Sequence, residues 1–94
     1  MLNLDISVEE MKNMLRISTD KLNDELIALK EAYLRDLSVS GVKIIPENDA
    51  LARVCLQIYL RWQENYNNEA ERYAKAYEGT KIAMSLADEY LKEE

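Results

Sequence analysis

The chain has 94 residues, enough for one small domain, and its net charge of −6 without a lysine or arginine cluster argues against binding to nucleic acid or to an anionic membrane surface. The chain has no histidine, so it cannot form a Ser/His or Cys/His nucleophile pair or a zinc site of histidine and cysteine. It has one cysteine, so it cannot form an internal disulfide. We therefore expect no enzyme, no cofactor and no metal site, and a cysteine, Cys55, that packs as a buried thiol among apolar neighbours.

The remaining composition favours a helical protein. Two glycines and one proline are too few for a sheet with many tight turns. No apolar run approaches the roughly 20 residues of a membrane span, and no signal-peptide pattern is visible. We expect the chain to stay in the cytosol or in an assembly built there.

The first predicted helix is short and spans Val8–Leu15. Ser7 followed three residues later by Glu10 is a capping box, in which each side chain bonds the other residue's amide. Ile6 and Met11 flank this start at the spacing of a hydrophobic staple.

The second predicted helix spans Lys21–Leu37, with Thr19 or Asp20 as its cap. Apolar residues recur in it at spacings of three and four, which places one face toward a core. These residues are Leu22, Leu26, Leu29, Tyr33 and Leu37, and Ile27 and Leu34 widen the face.

A loop is predicted over Ser38–Glu47, because it contains Gly41 and Pro46. Ile44 and Ile45 lie within it. Two isoleucines in a loop either pack beneath it or contact a neighbouring subunit, and the sequence leaves both open.

The third predicted helix begins at Asn48 or Asp49 and ends near Tyr66. Apolar residues occur nearly all round it, which predicts the central and most buried element. A polar turn is expected over residues 65–68.

The fourth predicted helix spans Glu69–Leu91 and carries a heptad-like apolar seam, which needs a partner helix. Gly79 inside it indicates a kink or a close helix contact. The sequence does not decide whether the partner helix belongs to the same chain or to a second copy. The seam consists of Ala70, Tyr73, Tyr77, Thr80, Met84, Ala87 and Leu91.

These elements predict an all-α fold for residues 1–94: a single domain, built as a small bundle of about four helices with a long loop between the second and third. A short chain has a modest core, and self-association is a common source of further stability. The candidate subunit interface is Tyr73, Tyr77, Met84, Ile44 and Ile45.

Three stretches, taken in order along the chain, resemble the small head-tail connector proteins of tailed bacteriophages, the head-completion or adaptor family. The first is residues 7–17 with the helix start at 20–26, and the second is Asp49–Val54. The third is residues 70–78 running into 81–86. Family members often have proline where this chain has Ala50.

The resemblance implies an all-helical structural subunit that assembles into a ring in the virion, between the portal protein and a downstream tail or stopper protein. DNA would pass through the ring lumen without sequence-specific binding, and no membrane would be involved. Acidic residues at the chain's end would then face the lumen or the tail: Asp88, Glu89, Glu93 and Glu94.

A second function remains open on the sequence alone. A small acidic helical bundle is also suited to a regulatory role, in which it binds a single protein partner as a monomer or dimer. The oligomeric state distinguishes the two functions.

Overall fold

The computed structural model describes residues 2–91. Over that range it contains four α-helices and no strand, which confirms the predicted all-α bundle with a loop, residues 40–49, between the second and third helices. The helices are α1 (Val8–Leu15), α2 (Asn23–Val39), α3 (Ala50–Gln63) and α4 (Ala70–Leu86), with single 3₁₀ turns at Tyr66–Asn68 and Asp88–Tyr90.

Helix α1 has the predicted bounds, because local signals set both of its ends. The Glu10 amide donates to Ser7 Oγ at 3.1 Å and the Ser7 amide donates to Glu10 Oε1 at 3.3 Å, which completes the capping box. Arg16 then ends the helix in the left-handed region, at φ 56°. Ile6 and Met11 are both buried.

Helix α2 begins two residues later than predicted, because the expected caps make other contacts. Asp20 Oδ1 lies 2.6 Å from Lys12 Nζ, and Thr19 Oγ1 accepts from the Lys21 amide in a local turn. Leu22 takes the cap position without a side-chain bond. The predicted apolar face is otherwise confirmed, since Leu26 and others of its residues are buried.

The segment before α1 also contributes to the core. Leu2, Leu4 and Ile6 are buried, whereas Asn3 and Asp5 between them are exposed. This alternation covers one side of the segment. Of the three residues, only Ile6 was predicted to pack, as part of the hydrophobic staple.

Helix α3 contacts α1, α2 and α4. Two arginines of α3 contact α1: Arg53 forms an ion pair with Glu10, and Arg61 Nε donates to the Met14 carbonyl at 3.1 Å. Five residues of α3 are buried, more than on any other helix, as expected of the central element. Its apolar surface is not wholly covered, because Leu51 and Val54 expose 39% and 48% of their surface.

Helix α4 packs against α3 after a connection of residues 64–69. The turn in this connection lies where it was predicted, and Asn65, Asn67 and Asn68 adopt positive φ there. A Cβ on Gly79 would meet nothing within 4 Å, and α4 runs through this position as one helix. The expected kink or close contact at Gly79 is therefore absent within the chain.

Helix α4 ends at Leu86 and not at Leu91, because Tyr90 turns back onto the loop. The Tyr90 carbonyl accepts from the Lys43 amide at 2.7 Å and from the Ile44 amide at 3.2 Å. Its hydroxyl donates to Asp49 Oδ2 at 2.7 Å, and the same oxygen accepts from the Ala52 amide at the start of α3. Residues 87–91 therefore act as a latch that joins the loop to the start of α3.

Candidate interaction surfaces

Four aromatic side chains pack together between α2, α3 and α4. The ring centroids of Tyr59 and Tyr77 lie 5.0 Å apart, and Tyr33 and Trp62 lie within 6.2 Å of Tyr77. Such separations are typical of favourable aromatic pairs. Tyr77 is consequently a core residue with no exposed surface.

The seam on α4 thus finds its partner helix in α3 of the same chain. Tyr77 and Met84 are both fully buried, so another subunit could touch neither without opening the core. Their assignment to the candidate subunit interface is wrong. Periodicity shows that a face of a helix is covered but not by which helix.

A polar anchor holds Tyr77 in place. Its hydroxyl donates to Asp36 Oδ2 at 2.6 Å, and Lys81 Nζ lies 3.1 Å from the same oxygen. Burial, together with the hydrogen bond to Asp36 and its charge, raises the pKa of Tyr77 above its usual range. The phenol therefore stays protonated and serves as a structural donor.

Tyr73 keeps part of its surface, at the end of the bundle where α3 leads into α4. Its ring lies 6.3 Å from that of Tyr66, in an edge-to-face arrangement. The guanidinium of Arg61 lies 4.5 Å from the Tyr66 ring centre and that of Arg72 lies 5.4 Å from the Tyr73 ring centre. These cation–π contacts form a half-exposed platform, so Tyr73 remains available to a partner.

The two loop isoleucines divide between the two possibilities that the sequence left open. Ile45 is half-buried against the core, whereas Ile44 exposes 38% of its surface. Ile44 is held there because its amide bonds the Tyr90 carbonyl. It remains available at the surface.

Of the four acidic residues predicted to face the lumen or the tail, the structure describes two. Asp88 and Glu89 are exposed in the turn that follows α4. Glu93 and Glu94 lie outside the described residues.

A group of exposed hydrophobic residues marks one end of the bundle, where α2 ends, α3 begins and α4 ends. Val39 and Leu86 each expose 74% of their surface, and the others expose more than a third. We call this group the apolar end: Val39, Ile44, Leu51, Leu86 and Leu91. Sequence reasoning missed Val39 and Leu86, although the position of Leu86 off the α4 seam was a usable signal.

Three further exposed hydrophobic residues lie on the sides of the bundle, one each on α2, α3 and α4. Ile27, Val54 and Ile82 expose 45%, 48% and 53% of their surface. We call them the lateral residues. They lie on three different helices, and the exposure of Ile27 contradicts its predicted place on the covered face of α2.

Two hollows are open to solvent. A groove of about 890 Å³ runs beside α2 and is lined by Leu2, Ala28, Ala32 and Val39 together with Glu31 and Arg35. A smaller cleft of about 410 Å³ lies between the N-terminal segment and the loop, with Asp5, Glu47 and Arg53 in its lining.

Two observations concern the reactive groups among residues 2–91. Burial raises the pKa of the Cys55 thiol to about 11, so the reactive thiolate is scarce at neutral pH. Across residues 2–91, no three cysteine, aspartate or glutamate side chains come together in a group that could hold a metal ion.

One carboxyl group is strongly perturbed. Burial, and then the hydrogen bond and charge of Glu25, raise the pKa of Glu64 to about 7. This pair joins the end of α3 to the first turn of α2. It is a structural contact between helices, away from both hollows.

None of the helices described within residues 2–91 is long and apolar enough to cross a membrane. Comparisons of the chain with protein-family models, curated proteins and solved structures give no match. The chemistry of the surface and the resemblance in sequence are therefore the basis for a functional proposal.

Proposed function

We propose that the chain is a structural subunit of a phage head-tail connector ring, which joins the portal of the DNA-filled head to the tail. The observation that carries this proposal is the placement of the lateral residues Ile27, Val54 and Ile82 on three different helices. A ring forms when identical subunits repeat one head-to-tail contact, and that contact uses two different surfaces of each subunit. Exposed hydrophobic residues on three helices of one bundle can supply both surfaces.

The energetics favour such a contact. Fully burying an aliphatic side chain of this size contributes about 1.5–3 kcal/mol relative to leaving it exposed. Each lateral residue has roughly half of its surface left to bury. A domain of 94 residues has a small core of its own, so stabilisation by neighbours is valuable to it.

The charge distribution supports a role around DNA without binding to it. The chain carries a net charge of −6, and Asp88 and Glu89 are exposed together near the end of α4. Carboxylates that line a lumen repel phosphates and let a duplex pass without adhering. The partners in this proposal are further copies of the chain, the portal protein and a downstream tail or stopper protein, all within the virion.

The proposal is tested by the state of assembly. The purified chain is examined by light scattering over a wide concentration range and by negative-stain imaging, alone and with portal rings. We expect rings, either free or seated on the portal, and weaker assembly for Val54→Ser than for Ser18→Ala, a control at an exposed polar position. A chain that stays monomeric at every concentration and does not bind portal rings would contradict the proposal.

The alternative function is a regulatory module that binds one protein partner. The five exposed hydrophobic residues of the apolar end favour it, because a single partner needs only one docking surface. Light scattering of the chain in a complex distinguishes the alternatives: one partner per chain or dimer supports the module, and a closed ring of many copies supports the connector.

A further inference from the structure

The apolar end is held together by the latch. Ile44 and Leu91 are neighbours because the Ile44 amide bonds the carbonyl of Tyr90, the residue before Leu91. Leu51 follows Asp49 by two residues, and Asp49 accepts the Tyr90 hydroxyl. The same few hydrogen bonds therefore fix three of the five hydrophobic side chains with respect to one another.

This end is exposed although the core directly behind it is closed. Val42 and Met84 are buried at 1% and 0%, whereas Leu86, half a turn beyond Met84, exposes 74%. The hydrophobic residues of the apolar end thus lie outside a completed core. The other end of the bundle differs, because its turn carries the exposed polar residues Asn65, Asn67 and Asn68.

Exposed acidic residues adjoin members of the apolar end along the chain. Asp88 and Glu89 are exposed between Leu86 and Leu91, and Glu47 is exposed on the loop. Lys43 is exposed on the same loop, so the carboxylates outnumber the cations among these residues. Two copies that met through this end would bring like charges together, which is unfavourable in a desolvated contact.

We infer that the apolar end is a docking surface for a protein partner that presents aliphatic side chains flanked by lysine or arginine. The aliphatic side chains would bury Leu86 and its neighbours, and the cations would face Asp88 and Glu89. This inference rests on the proposed function only in taking the chain to act through protein contacts. In this assignment the lateral residues form the contacts between copies, and the apolar end binds a different protein.

The test uses the full chain, labelled with ¹⁵N, and a synthetic amphipathic helix of leucine and lysine as the probe. A matched helix of leucine and glutamate serves as the control peptide. We expect the lysine peptide to shift the amide signals of Ile44, Leu51 and residues 86–91. We expect the glutamate peptide to shift none of them, and the affinity for the lysine peptide to fall as salt is raised.

Two pairs of variants distinguish binding at the apolar end from a general attraction of the lysine peptide to an acidic protein. Leu86→Ser should weaken binding of the lysine peptide about tenfold, whereas Ile27→Ser, at a half-exposed position on α2, should not. Glu89→Lys should weaken it severalfold, whereas Glu31→Lys, an identical charge change at an exposed site on α2, should have little effect. Leu86 and Glu89 are both exposed, so the fold should survive these changes.

Three results would overturn the inference. The first is binding that neither Leu86→Ser nor Glu89→Lys reduces. The second is a set of shifts confined to other parts of the bundle. The third is a change in the residue 86–91 signals with protein concentration alone, which would make a second copy the occupant. Rings that form without peptide binding would refute only this inference. Peptide binding by a chain that stays monomeric and does not bind portal rings would refute only the ring.

Discussion

At the scale of single residues, α3 divides into a buried side and an exposed side. Leu56 has no exposed surface, and Val54, two residues earlier, exposes 48%. Leu56→Ala should lower the free energy of unfolding by about 2–5 kcal/mol, because it leaves a cavity where the surroundings are closely packed. Val54→Ala, the matched control, should cost less than about 1 kcal/mol. Urea denaturation measures both, and equal losses would show that the two sides of α3 are wrongly assigned.

The Glu64 carboxyl predicts how stability depends on pH. Its pKa is about 7 in the folded chain, above the ordinary value of 4.5. Since the folded state holds this proton more tightly than the unfolded state, the stability that it contributes is fully present below about pH 4.5 and is lost as the pH rises through 7. The free energy of unfolding should therefore contain a component that falls between these two pH values.

Glu64→Gln tests this prediction, because the amide cannot lose a proton. The free energy of unfolding of the variant, minus that of the parent chain, should therefore be larger above pH 7 than at pH 4.5. Glu31→Gln, at an exposed site on α2, should follow the parent at every pH. Parallel stability curves for the parent and Glu64→Gln would show that Glu25 and burial do not perturb Glu64.

At the scale of elements, the latch of residues 87–91 controls the loop between α2 and α3. Tyr90→Phe keeps the buried ring and removes the hydroxyl that donates to the Asp49 carboxylate, so it should cost about 1.5–3 kcal/mol, the range for a hydrogen bond to a charged group. Tyr90→Ala removes the ring as well. It should speed amide hydrogen exchange at Lys43 and Ile44 much more than in α1. Unchanged exchange at those two amides would mean that the latch does not hold the loop.

Local signals explain which elements could be predicted from the sequence. The bounds of α1 were predicted because Ser7 and Glu10, three residues apart, set its start. The end of α4 was not, because it depends on contacts of Tyr90 with residues 43, 44 and 49, which are distant in sequence. The start of α2 moved for a similar reason, since Asp20 pairs with Lys12 of α1.

The candidate interface shows the same limit. The spacing of Tyr77 and Met84 correctly indicated a covered face, but spacing does not identify the covering helix, which is α3 of the same chain. Leu86 and Val39 were missed because exposure depends on where neighbouring elements end. Ile44 and Ile45 were singled out because apolar residues in a loop are unusual, but the sequence did not show that Ile44 would be exposed and Ile45 half-buried.

At the scale of the whole molecule, core and surface hydrophobic residues lie in separate places. The bundle measures 39 × 25 × 19 Å, and its core of leucines and tyrosines is closed without help from another chain. The exposed hydrophobic residues lie outside that core, on the sides and at the apolar end. A folded monomer that associates afterwards is the behaviour expected from this separation.

The dependence of melting on concentration tests that expectation. If copies associate through the lateral residues, the melting temperature should rise over a hundredfold increase in protein concentration, because association stabilises the folded state by mass action. Tyr77→Ala should lose about 3–5 kcal/mol at every concentration, since it removes a buried ring and leaves Asp36 without that donor. Val54→Ser should match the parent chain when dilute and fall below it when concentrated. If the melting temperature of the parent chain did not change with concentration, the proposed contact between copies through the lateral residues would be contradicted.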